Sequence, residues 1–121
     1  MQILDRASVD IDGSGSYDAL TDGLLLMRYL SGLSGNPLTN GATGAGATRT
    51  TPAQAWQFME NMRPLLDVDG DGQVEALTDG LMLIRYLFGL RDASLIDGAI
   101  GSNPTRATAP AIGAHIKSLM P

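Results

Sequence analysis

One acidic loop occurs twice in this chain, 57 residues apart, and each copy runs directly into an apolar stretch. Asp10-Ile-Asp-Gly-Ser-Gly-Ser-Tyr-Asp-Ala-Leu-Thr-Asp22 returns as Asp67-Val-Asp-Gly-Asp-Gly-Gln-Val-Glu-Ala-Leu-Thr-Asp79. Residues 10–33 and 67–90 are identical at 16 of 24 positions. The match continues without a gap through Leu38 and Leu95, Gly44 and Gly101, Thr48-Arg49 and Thr105-Arg106, and Pro64 and Pro121. Self-similarity at a fixed period marks a repeated supersecondary unit. The 121 residues are therefore read as a single domain, 1–121, built from two units, 8–64 and 65–121, after a short lead-in.

Each unit predicts an acidic loop, a helix, a connector and a second helix, which makes the fold class all-α, a tandem pseudo-twofold duplication. The first helices are expected at about 20–32 and 77–89, with Asp22 and Asp79 in the first turn and Gly32 and Gly89 at the end. Leu20, Leu24, Met27 and Leu30 recur at helical spacing, as do Leu77, Leu81, Ile84 and Leu87. With Leu26 and Leu83 they define an inward face, most simply packed against the twin helix. The connector Asn40-Gly-Ala-Thr-Gly-Ala-Gly46 reads as a surface loop. Second helices are expected at about 52–62 and 109–119, started by Thr51-Pro52 and by Thr108 with Pro110. Their inward residues are Ala55, Phe58, Met59 and Met62, then Ile112, His115, Ile116 and Leu119. Trp56 is expected in the core. Tyr17 and Val74 could form a two-residue pairing between the loops.

The loops carry the chemistry. Oxygen-bearing side chains at alternate positions, with a glycine at the sixth, wrap a calcium ion in six to eight oxygen ligands. In the second loop Asp67, Asp69 and Asp71 stand at positions one, three and five, Gln73 offers a carbonyl at seven, and Glu75 stands at nine. The first loop has Asp10 and Asp12 at one and three, Ser14 at five, Ser16 at seven and Asp18 at nine. The closing acid comes one residue later than the usual twelfth position, at Asp22 and Asp79. Those aspartates are expected to close the sites; the alternative is that they face the helix dipole while water closes them. With fewer carboxylates, the first site should bind more weakly. Magnesium suits a smaller, rigid octahedron. Zinc is disfavoured by the absence of cysteine and the presence of one histidine.

Charge agrees with two bound ions. Nine of the thirteen acidic residues lie in the two loops, and two divalent ions would take the net charge from −5 to −1. A negative balance argues against nucleic acid or anionic membrane as a partner. No run approaches the roughly 20 apolar residues of a membrane span. Met1 opens no basic-then-apolar leader, so the chain is expected to be a piece of a longer protein whose targeting signal lies elsewhere. No enzyme is expected. The paired carboxylates stand at metal spacing, there is no Gly-x-Ser-x-Gly, and the Gly41–Gly46 stretch lacks the lysine of a phosphate loop. Arg49 and Arg106 are expected to form surface salt bridges.

The order loop–helix, linker, loop–helix, with Asp67-Val-Asp-Gly-Asp-Gly-Gln-Val-Glu, Leu-Thr-Asp79 and a helix carrying Arg85, resembles the type I dockerin family. The resemblance covers both loop–helix segments, nearly half the chain. It implies two EF-hand-type calcium sites, folding on calcium binding, and a secreted or cell-surface bacterial protein. It also implies docking to a cohesin-like or other extracellular protein domain. Its cohesin contacts would fall at Ala19-Leu20 and Ala76-Leu77, where the family has small polar residues, and at Arg28 and Arg85. The 57-residue spacing, the delayed aspartates and the second helices are departures from the family pattern.

Overall fold

The computed structural model describes residues 8–120; Met1–Arg6, Ala7 and Pro121 lie outside them. The described chain is all-α, with no strand. Each unit opens with its loop and a π turn, Ala19–Gly23 or Ala76–Gly80, that leads into α1 (Leu24–Leu30) or α4 (Leu81–Leu87). One-turn helices follow, α2 (Asn36–Thr39) and α5 (Ala93–Ile96), and then the longer α3 (Pro52–Asn61) and α6 (Ala109–Ser118). A 3-10 turn at Arg63–Leu66 leads from α3 into the second loop. Among the described residues no helix is long and apolar enough to cross a membrane.

The two long-helix pairs end as their sequences dictate. Gly32 and Gly89 take φ of 93° and 104°, which a side chain with a Cβ resists. Their N–H groups donate to Tyr29 and Tyr86, and Leu33 and Leu90 donate to Arg28 and Arg85, so the last carbonyls of α1 and α4 are used. Thr51 starts α3 with a reciprocal cap: its hydroxyl accepts from Gln54 N at 3.3 Å, and Gln54 Oε1 accepts from Thr51 N at 3.2 Å. Thr108 accepts from Ala111 N in the same way. Thr51→Ala is expected to destabilise the metal-saturated protein by about 1 kcal/mol, read from the urea midpoint.

α1 and α4 run antiparallel and meet along a seam that the duplication makes reciprocal. A Cβ on Gly23 would come within 2.8 Å of Ile84, and one on Gly80 within 2.8 Å of Met27, which is the counterpart of Ile84. Glycine at these two positions lets the helices approach closely. The expected single inward face is thereby split in two. Met27, Leu30, Ile84 and Leu87 belong to the seam and are half-buried, while the core proper takes Leu25, Leu26 and Tyr29 from α1 and Met82, Leu83 and Tyr86 from α4. Leu20 and Leu77 are not inward: they are 67% and 74% exposed. They stand at the two ends of the seam, where Leu20 lines a shallow groove with Leu87 and Phe88.

α3 and α6 bury the residues their periodicity indicates. Ala55, Phe58, Met59, Met62, Ile112, Ile116 and Leu119 join the core. His115 is half-buried, and its Nε2 lies 2.8 Å from the Leu65 carbonyl, which ties α6 to the linker between the units. Trp56 is exposed rather than in the core, with its ring edge-on to Tyr29 at 6.5 Å. Tyr17 and Val74 form no strand pairing; both are half-buried against the core. The connectors hold α2 and α5, which bury Leu38 and Leu95. Arg28 fixes α2 by donating to the carbonyls of Leu38 and Asn40 at 3.2 and 2.8 Å, and Arg85 fixes α5 through Leu95 and Asp97 at 3.3 and 2.8 Å.

Candidate metal centres

The first aspartate of each loop folds the turn around itself. Asp10 accepts from the N–H groups of Ser14 and Gly15, at 3.1 and 3.0 Å, and Asp67 from those of Asp71 and Gly72, at 3.2 and 3.0 Å. Gly15 and Gly72, at the sixth position, take φ of 91° and 90° and let the chain turn. Asp12 and Asp69 are fully buried. Each accepts an N–H from the returning connector, from Gly44 or Gly101, at 2.6 Å. A Cβ on Gly101 would lie 2.1 Å from an Asp71 carboxylate oxygen and 3.1 Å from one of Asp69, so a side chain there would displace the Asp71 carboxylate.

The delayed aspartates are drawn in by the π turns. Gly23 N donates to Asp18 O and Gly80 N to Glu75 O, each five residues back and each at 3.1 Å. That wider turn absorbs one extra residue and brings the thirteenth position, not the twelfth, into the loop; such turns recur at functional sites. Asp22 and Asp79 are fully buried. Asp22 accepts from Asp12 N at 3.3 Å and Asp18 N at 2.9 Å, and Asp79 from Val68 N at 2.7 Å and Glu75 N at 2.9 Å. Each carboxylate therefore pins the start of its loop to the end.

Two acidic clusters result, and each could hold a metal ion. Asp10, Asp12 and Asp22 each offer an oxygen within 4.8 Å of the others, and so do Asp67, Asp69, Asp71 and Asp79. Burial works against their charge. It pushes the Asp22 carboxyl up to about 7, helped by the neighbouring Asp12 and Asp10, and the Asp79 carboxyl up to about 6, helped by Asp69. Asp69 is raised by burial and by Asp71. Donated N–H groups oppose these shifts but do not cancel them. A polyvalent cation would supply the missing counter-charge.

The remaining sequence candidates lie around these clusters. Asp18 and Glu75 are exposed and outside them, Ser16 and Gln73 are exposed, and Ser14 is half-buried. Thr78 donates its hydroxyl to Asp79 at 3.3 Å, whereas the Thr21 hydroxyl oxygen is buried without a partner among the described residues. Gly44, Gly101 and the Thr-Arg pairs are part of each centre that the loop pattern does not reveal. Arg49 and Arg106 each donate to two loop carbonyls, contacts that the expected surface salt bridges do not include. The repetition of Thr-Arg at the same spacing was the available signal. No protein-family model, curated protein or solved structure gives a significant match to the chain.

Proposed function

We propose that the two clusters are calcium sites and that the chain is a structural module, dockerin-like in design, folded and stiffened by two calcium ions in a bacterial extracellular protein. The observation that carries this reading is the burial of four carboxylates, Asp12, Asp22, Asp69 and Asp79, inside clusters of converging carboxylate oxygens. An all-oxygen donor set suits a hard divalent ion, and a flexible ring of carboxylates, carbonyls and water suits calcium over magnesium. In the second site Asp67, Asp69, Asp71 and Asp79 are direct ligands, Gln73 adds its carbonyl and Glu75 acts through water. In the first, Asp10, Asp12 and Asp22 are direct, with Ser14, Ser16 and Asp18 completing the shell. At millimolar extracellular calcium even a weak site of this kind fills.

Calorimetry with calcium chloride tests the reading. Two unequal phases are expected, with the tighter one from the four-carboxylate second loop. Asp67→Ala should remove the tighter phase and Asp10→Ala the weaker. Loss of the tighter phase in Asp10→Ala would reverse the order of the sites, and no uptake at all would sink the calcium assignment.

One observation favours a second reading, a module that docks onto a cohesin-like receptor. Leu20 and Leu77, at the positions the dockerin resemblance marks for contact, are exposed, and Leu20 shares a groove with Phe88, itself 58% exposed. Against it, Arg28 and Arg85, the basic positions of that resemblance, spend hydrogen bonds on α2 and α5. A pull-down with cohesin domains separates the two readings.

A further inference from the structure

The carbonyls of the first four residues of each loop are all held by two residues that lie just before the second long helix of the same unit. In the first unit Arg49 Nη2 donates to Asp10 O at 2.8 Å and Arg49 Nε to Ile11 O at 2.7 Å. The N–H groups of Thr48 and Arg49 both donate to Asp12 O, at 2.9 and 2.8 Å, and the Thr48 hydroxyl donates to Gly13 O at 3.0 Å. The second unit repeats every bond. Arg106 donates to Asp67 O and Val68 O at 2.8 and 2.7 Å. Thr105 N and Arg106 N donate to Asp69 O, both at 2.9 Å, and the Thr105 hydroxyl donates to Gly70 O at 3.1 Å.

The contact explains a glycine that the turn at the sixth position does not. Gly13 and Gly70 are the fourth loop residues. A Cβ on them would lie 2.1 and 1.9 Å from the hydroxyl of Thr48 or Thr105, and both have φ of 67°. Only glycine lets the Thr-Arg pair lie flat on the loop backbone.

We propose that Thr48-Arg49 and Thr105-Arg106 are positioning residues for the two cation sites, clamping the carbonyl edge of each loop so that its carboxylates converge on the ion. This rests on the calcium reading of the clusters. Carboxylates gathered within one site repel one another, and the backbone that bears them spreads unless something holds it. Four consecutive carbonyls fixed from behind leave the side chains of positions one and three on the ion's side. The guanidinium suits this task because its fixed fork reaches two carbonyls at once, which a lysine ammonium does not reproduce. The clamp also joins the site to the rest of the unit. Arg49 lies 3.8 Å over the Phe58 ring of α3, and Thr51, two residues on, caps that helix.

The test is calcium calorimetry on Arg49→Lys, Arg106→Lys, Thr48→Val and Thr48→Ser, with the helical circular dichroism of each read at saturating calcium. Arg49→Lys is expected to weaken the first site by about tenfold or more, the range found for groups that orient metal ligands, and to leave the second site unchanged. Arg106→Lys should do the reverse. Thr48→Val should weaken the first site and Thr48→Ser should restore it, all four variants keeping wild-type helicity when saturated. A general structural role would instead weaken both sites together and lower the saturated helicity, and that result overturns the proposal. So does an unchanged affinity in Arg49→Lys, or a Thr48→Ser as weak as Thr48→Val; the Thr48 pair decides if Arg49→Lys does not fold. Wild-type protein that takes up no calcium overturns the assignment of the sites and the clamp with it, whereas wild-type binding with unaffected variants overturns the clamp alone.

Discussion

EGTA at pH 7.5 is expected to abolish most of the helical circular dichroism of this protein, and excess calcium to restore it. Four aspartates, Asp12, Asp22, Asp69 and Asp79, are fully buried in the folded chain. Each buried charge left without a counter-charge costs several kcal/mol, and the whole stability of a domain is about 5–15 kcal/mol. The core cannot offset four such groups, because it is small and there is no cysteine to cross-link the chain. Acidity should then act in opposite directions on the two forms. Asp22 and Asp79 titrate near 7 and 6 in the cation-free fold, above the ordinary 3.8. The fold holds their protons more tightly than the unfolded chain does, so the cation-free protein gains stability as pH falls from about 7 towards 4. The calcium-loaded protein loses stability over the same range, because protons compete for its ligands. Helicity that survives EGTA unchanged at pH 7.5 refutes this account.

Asp79→Asn is expected to weaken the second site by more than about a hundredfold, since residues that merely orient ligands are already worth ten- to hundredfold. Asparagine nearly matches aspartate in shape but removes the charge. It also turns one acceptor into a donor facing either Val68 N–H or Glu75 N–H, both of which now donate to Asp79. Two donors then meet in a buried place, and the loop loses the tie between its ends. Thr78→Ala, at the residue where an ordinary loop would close, should change affinity little, because Thr78 contributes one hydrogen bond to Asp79 at 3.3 Å. The two variants distinguish a loop that closes at its thirteenth residue from one that closes on water. If Asp79→Asn binds like wild type, the aspartate serves the helix rather than the ion.

The sequence made some of this architecture readable and concealed the rest for definable reasons. Thr51-Pro52 and Thr108 with Pro110 mark the starts of α3 and α6 because capping is local chemistry, written in adjacent residues. The clusters are readable too, since each aspartate sits at a fixed offset within thirteen residues. α2 and α5 are not, because four residues make a single turn and show no period. Leu20 keeps helical spacing with Leu24, yet spacing says nothing of where a neighbouring helix ends, and Leu20 stands at the very end of α4, beside Leu87 and Phe88. The role of Arg49 is hidden for another reason: its partners are main-chain carbonyls, which every residue has, so no residue type at positions 10 and 11 announces them.

The seam between α1 and α4 has a further meaning in terms of assembly. Gly23 meets Ile84 as Gly80 meets Met27, so the surface each unit offers there is a near copy of the surface it receives. A face of that kind is self-complementary, the geometry of a twofold homodimer enclosed in one chain. A unit released from its twin would find its best substitute in another copy of itself. Two intact chains could likewise trade units across the linker at Arg63–Leu66 and rebuild the same seam between molecules.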